Sequence, residues 1–158
     1  MNEIIIKRAV VFSLILGALI GVVSSIPLFA GYGFLVLILF CSPIVILYMK
    51  KNEKHLGILN NEESAILGAV IGFCSTIGFF AAFSPLVCIF RLIFKTYYAY
   101  TIPDVLSTAL WLFILLVVVL ASIFAATNAT SAMGLNWILS FAEKKPKEDD
   151  SIDIKIED

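Results

Sequence analysis

The chain has 158 residues, of which 61% are hydrophobic and 15% charged, with a mean hydropathy of +1.02 and a formal charge of −1. That leaves too little polar surface to clothe a soluble globule and no Lys/Arg-rich surface on which nucleic acid could bind, so lipid must be the solvent for most of the protein. Once a charged tail and one charged loop are set aside, about four or five spans of roughly 20 residues fit, and a second, soluble domain does not.

The first apolar run, 9–30, follows Lys7 and Arg8 and so has the flanks of a signal peptide. It lacks a small-x-small cleavage site, and a near-copy of it lies in mid-chain, so it reads as a retained span. The second run, 31–49, follows almost without a loop. Gly31, Tyr32 and Gly33 predict a tight turn there, making the first two spans a hairpin, and Pro43 predicts a kink after Ser42. Charge returns from Lys50 to Glu63. Asn61 is the expected N-cap of the next helix, with Glu62 and Glu63 in a first turn where the helix dipole favours anions. The third span is expected over 62–83.

Ser84 and Pro85 have the pattern of an N-cap followed by proline at the first helical position, which predicts a separate helix over about 85–99. On it Arg91, Lys95 and Tyr98 share one face at i, i+4 and i+7, while Leu86, Ile89, Phe90, Ile93 and Phe94 cover the rest. This is the pattern of an amphipathic helix lying in the headgroup layer, where Arg91 and Lys95 are candidates to hold lipid phosphates, the alternative being two snorkelling side chains. Pro103 and Asp104 open the fourth span, 105–126. Beyond it Met133, Trp137 and Phe141 share a face opposite Asn136, Ser140 and Lys144, a surface-lying or helix-continuing segment. Residues 144–158 read as a charged, disordered cytoplasmic tail, with strand pairing through Ile152, Ile154 and Ile156 as the alternative.

Nine Lys and Arg residues fall on one side of this four-span layout and two, Arg91 and Lys95, on the other. The positive-inside rule therefore puts both termini and the 50–63 loop in the cytoplasm of a cell whose inner membrane holds the chain.

An internal repeat runs through the apolar segments. Ser13 to Ala30 and Ser64 to Ala81 are identical at 11 of 18 positions with a constant offset of 51. Each copy carries a stripe of small residues: Ser13, Gly17, Gly21 and Ser24 in the first, Ser64, Gly68, Gly72 and Ser75 in the second. Helices gain nothing from the hydrophobic effect when they meet in lipid, so association depends on close contact, and small residues allow backbones to approach. These eight are the candidate helix-packing residues. The repeat predicts an all-α membrane protein of four transmembrane helices, arranged as two tandem parallel-repeat hairpins with the first and third spans central and in contact, plus the interfacial helix.

The search for chemistry returns little. None of the four spans has an ionisable residue in its middle, which argues against a proton relay. His55 is the single histidine and has no second ligand at metal spacing, so no metal is expected. Cys41, Cys74 and Cys88 form no CxxC and read as small apolar residues. Ser24, Ser25, Ser75 and Thr76 have no base in their layer and are expected to bond the preceding turn or a neighbouring helix. Asn128 opens an Asn-Ala-Thr sequon that this topology puts near the cytoplasmic face, where no glycan is expected.

The GALIG and SSIP sequences of residues 17–27, with GAVIG at 68–72, make residues 13–81 similar to a group of small four-span prokaryotic membrane proteins of unknown function with paired glycine motifs. That resemblance implies a fold and no activity. The residues themselves point to a non-enzymatic accessory or scaffold subunit, without a cofactor, whose partners are the bilayer and either itself or another membrane protein. The alternative is a component of a small-solute transporter or channel, in which Ser24, Ser25, Ser75, Thr76, Pro27 and Gly78 line a path. A third reading, a lipid-handling enzyme or sensor using Arg91 and Lys95, lacks a carboxylate or histidine beside them.

Overall fold

A computed structural model describes residues 3–26, 29–52, 60–94 and 109–143. They form five helices, α1 (Glu3–Ser24), α2 (Ala30–Leu39), α3 (Cys41–Asn52), α4 (Asn61–Phe94) and α5 (Leu110–Glu143), and no strand among the described residues. Helices α1, α4 and α5 are each long and apolar enough to cross a membrane. The α2–α3 pair, bent by 58° at its break, makes a fourth crossing if it is one span. An apolar segment in lipid has no water to satisfy its backbone, which leaves the helix as the conformation that pairs every N–H and C=O within the segment.

Several boundaries differ from those expected. Helix α1 begins well before residue 9, where Lys7 pairs with Glu3 at 2.8 Å, and ends at Ser24 rather than Ala30. The chain leaves α1 in a turn at Ser25 and Ile26, and the expected glycine turn is helical instead: Gly31, Tyr32 and Gly33 lie inside α2. Pro27 accounts for the shift, because the residue before a proline is driven out of the helical region. The N-cap of α4 is Asn60, one residue earlier than expected. Its carbonyl accepts the Ser64 N–H at 2.9 Å, the first bond of the helix, and Glu63 reaches back to accept the Asn60 N–H at 3.3 Å, one half of a capping box.

The new helix expected at Ser84–Pro85 does not start there. Pro85 is inside α4, which continues unbroken to Phe94. Proline within a helix costs one backbone bond, and such losses are tolerated in helices whose neighbours hold them in place. Likewise α5 does not stop at Ala126 but carries the Met133, Trp137 and Phe141 face on as continuous helix. At about 1.5 Å per residue, the 34 residues of α4 and of α5 each run to roughly 51 Å, well beyond a hydrocarbon core of about 30 Å. Pro27, His55, Lys95 to Asp104, residues 105–108 and the tail at 144–158 lie outside the described residues.

Helix α4 is the centre of the bundle, with α1 along one side and α5 along another. Contacts advance in the same direction on α1 and α4, with Gly17 at Ser75 and Gly21 at Phe79, so these two run parallel. On α5 they run backwards, with Gly68 near Ala132 and Gly72 near Phe124, so α4 and α5 are antiparallel. The α2–α3 pair touches all three long helices and keeps one buried face through its bend, in which Leu37, Cys41, Val45 and Met49 recur every four residues. Past the middle of α4, Phe34 of α2 meets Phe79, Phe80 and Phe83 with ring centroids 5.0 to 6.4 Å apart.

Candidate functional site

The two small-residue stripes are both buried, but their glycine pairs serve different interfaces. On α1 the buried residues are Ala9, Ser13, Gly17, Gly21 and Ser24, a single face at four-residue spacing turned to the interior. Gly17 lies against the carbonyl of Ser75 in α4, so that a Cβ there would overlap it, and a Cβ on Gly21 would stand 2.5 Å from the Phe79 oxygen. Ser13 lies beside the Cys74 thiol, and Ser24 meets Gly33 of α2.

Gly68 and Gly72, the equivalents of Gly17 and Gly21, do not face α1 at all. A Cβ on Gly68 would stand 2.5 Å from the Asn128 carbonyl oxygen, and one on Gly72 the same distance from the Phe124 oxygen, both in α5. What α4 offers α1 instead is Ser75 and Gly78, the latter against the backbone of Leu14. Each copy of the repeated glycine pair thus lets its helix sit against a different neighbour, α1 on α4 and α4 on α5.

The closeness of α4 and α5 at Gly72 brings Asn128 to the break between α2 and α3. The backbone bonds Phe40 N–H to Val36 at 2.9 Å and Ile44 N–H to Phe40 at 3.0 Å survive on either side. Pro43 has no N–H to give to Leu39. At the adjoining rung the Ser42 N–H donates not to Ile38 but to Oδ1 of Asn128 at 2.9 Å, while Nδ2 of Asn128 donates to Ile38 at 3.2 Å and to Leu37 at 3.0 Å. The carboxamide is therefore inserted into the helical ladder. A side chain inserted in this way is one of the few causes of a sharp helix bend, and here it accompanies a proline three residues after the break. The bend consequently falls at Phe40, ahead of the kink expected after Ser42.

Asn128 is fully buried and its polar atoms are all engaged. Its Nδ2 also donates to Phe124 of its own helix at 3.0 Å, and its backbone oxygen accepts the Ser42 hydroxyl at 2.8 Å. The layer sits at Gly72, eleven residues into α4 and so about 16 Å from the Asn61 end. Beside it the Cys41 thiol meets the Ser75 hydroxyl. The other hydroxyls turn back to their own helices: Ser24 to Ile20, Ser25 to Val22, and both Ser75 and Thr76 to Gly72, at 2.6 to 3.1 Å. Among the described residues, the buried hydroxyls of Ser64 and Ser84 have no hydrogen-bond partner.

Among the described residues no group of three or more His, Cys, Asp or Glu side chains is close enough to hold a metal. All three cysteines are free thiols. Of the lipid-headgroup candidates, Lys95 lies outside the described residues and Arg91 is described only as helical backbone in the last turn of α4. Asn128 is the residue that sequence reasoning missed, because the fourth span was ended two residues before it. The available signal was a lone carboxamide among Ala and Thr in an apolar helix, together with a proline-broken helix elsewhere that needed donors and acceptors. Comparison with family models, with curated proteins and with solved structures finds no match to this chain.

Proposed function

We propose that the chain is a non-enzymatic, four-span subunit of the inner membrane, with both termini and the 50–63 loop cytoplasmic, that acts as an accessory or scaffold protein through helix association. In this reading its two halves are tandem hairpins, and its partners are lipid and either a second copy or another membrane protein. The observation that carries it is how the buried polar groups are used. Asn128, Ser42, Ser24, Ser25, Ser75 and Thr76 are bonded to the protein's own backbone rather than turned toward a shared passage. Backbone contact at Gly17 and Gly21 leaves no width for a solute between α1 and α4 at those levels. Outside this interior, α5 presents Trp111, Ile114, Leu115, Val118 and Ile138 to its surroundings, as a helix in lipid or against a membrane partner does.

One observation favours the alternative, a transporter or channel component: a helix broken inside the bundle is the element from which transporters build midplane sites. The two readings separate on function. Affinity purification from native membranes after in-membrane cross-linking is expected to recover the chain with a defined stoichiometric partner, itself or another membrane protein. Recovery as a lone monomer, together with solute flux from vesicles containing only the purified chain, would replace the scaffold reading with the transport one.

A further inference from the structure

An apolar groove of about 200 Å³ runs between α1 and α3, lined by Phe12, Ile15, Leu16 and Leu19 on one wall and Ile44 and Tyr48 on the other. Ile15, Leu19, Ile44 and Tyr48 are exposed, so the groove opens on the outside of the bundle. At one end Phe12 and Tyr48 meet edge to face with centroids 4.9 Å apart. Phe12 is near the start of α1 and Tyr48 near the end of α3, so the start of α1 and the end of α3 lie at this same end. Arg8 stands four residues before Phe12 and Lys51 three residues after Tyr48, so each continues the face of its own wall one turn past the rings.

Both Arg8 and Lys51 are exposed, with Lys7 and Lys50 next to them in the chain. The apolar groove leads, past an aromatic pair, to the exposed cations Arg8 and Lys51. We propose that this groove seats one acyl chain of an anionic phospholipid whose phosphate is held between Arg8 and Lys51. Basic pockets between helix ends suit such headgroups, and a cation near an anionic lipid surface contributes about 1 kcal/mol, or roughly a fivefold preference. The site rests on the membrane reading and is independent of which side the termini face.

The test places a reporter in the groove. The full chain carrying Tyr48→Trp, with Trp111→Phe and Trp137→Phe to silence the native tryptophans, is reconstituted in mixed phosphatidylcholine and phosphatidylglycerol vesicles in which one lipid at a time has brominated acyl chains. Brominated phosphatidylglycerol is expected to quench Trp fluorescence as if favoured about fivefold or more. Adding Arg8→Gln with Lys51→Gln should bring that ratio to about one, whereas Lys144→Gln with Lys145→Gln, the same charge loss elsewhere in the chain, should leave it. Equal quenching by the two lipids, or a preference that survives Arg8→Gln with Lys51→Gln, overturns the headgroup site. Absence of quenching by either lipid overturns the membrane reading as well. Leu19→Trp at the other end of the groove provides the same readout if Tyr48→Trp does not fold.

Discussion

Asn128 and Ser42, 86 positions apart in the chain, are joined twice: the Ser42 N–H donates to the Asn128 side-chain oxygen at 2.9 Å, and the Ser42 hydroxyl donates to the Asn128 backbone oxygen at 2.8 Å. The pairing answers a need that Pro43 creates. A proline in an apolar segment leaves a carbonyl without its donor and bends the helix away from it, and in lipid no water completes the rung. The carboxamide, which both donates and accepts, fills the adjoining gap from another helix.

Replacing Asn128 with Leu should therefore lower the unfolding free energy by about 2–4 kcal/mol, since it strands the Ser42 N–H and carbonyls at 37 and 38 that each cost about 1–3 kcal/mol when buried unpaired. In a Pro43→Ala background, where the ladder can close on itself, the loss should be smaller by about 1 kcal/mol or more. Denaturant titration of the four variants in detergent measures this cycle. Equal losses in both backgrounds would show that the carboxamide does not serve the break.

The glycines divide into those with a backbone against them and those without. Gly17→Ile and Gly68→Ile should each destabilise by at least about 2 kcal/mol through overpacking, and because they lie in separate interfaces their effects should add. Gly72→Ala, which would push the Phe124 backbone and the Asn128 Cβ away, should cost about 1–3 kcal/mol. Gly31→Ala and Gly134→Ala, which meet nothing within 4 Å, should be neutral or stabilising by up to about 1 kcal/mol. Thermal unfolding in one detergent ranks all five, and a destabilised Gly134→Ala variant would contradict the division.

Sidedness distinguishes four crossings from three. If α2 and α3 together cross the membrane, tags at the two termini and a cysteine at position 55 should all react from the cytoplasmic side. If the pair instead dips in and returns, α4 would enter from the face opposite to α1, against their parallel packing, and position 55 and the C-terminal tag should both react only from outside. Labelling with an impermeant maleimide in intact and broken cells reads this out.

Cys41 is wholly buried at the bent helix, whereas Cys88 on α4 is partly exposed. In single-cysteine variants, maleimide should label Cys88 in mild detergent and Cys41 only after denaturation. Steady labelling of Cys41 under native conditions would indicate that the Asn128 contact opens, the behaviour that a transport cycle requires and a packing role does not.

Much of the architecture was legible in one dimension. Runs of apolar residues as long as Val105 to Ala126 have only one conformation that satisfies their backbone in lipid, and the recurrence of Ser13, Gly17, Gly21 and Ser24 marks a narrow helix face. Boundaries were less legible. Glycine at positions 31 and 33 suggests a turn by its conformational freedom, yet the structure uses Gly33 for its small size against Ser24 in a helix. Pro85 suggests a helix start by its missing donor, yet it sits inside α4. A residue type states what a position tolerates, and several structures tolerate it equally.

The sequence alone determined that the chain is helical, apolar enough for a membrane and equipped with two narrow faces, because these follow from composition and from spacing along a single helix. Only the tertiary structure decided which neighbour each face meets, sending Gly17 to α4 and Gly68 to α5, and gave Asn128 its place in the broken ladder of α2 and α3. A stripe of small residues licenses close approach without naming the partner, and a carboxamide acquires its role from unpaired backbone groups that lie, in this protein, on a helix some 86 residues away.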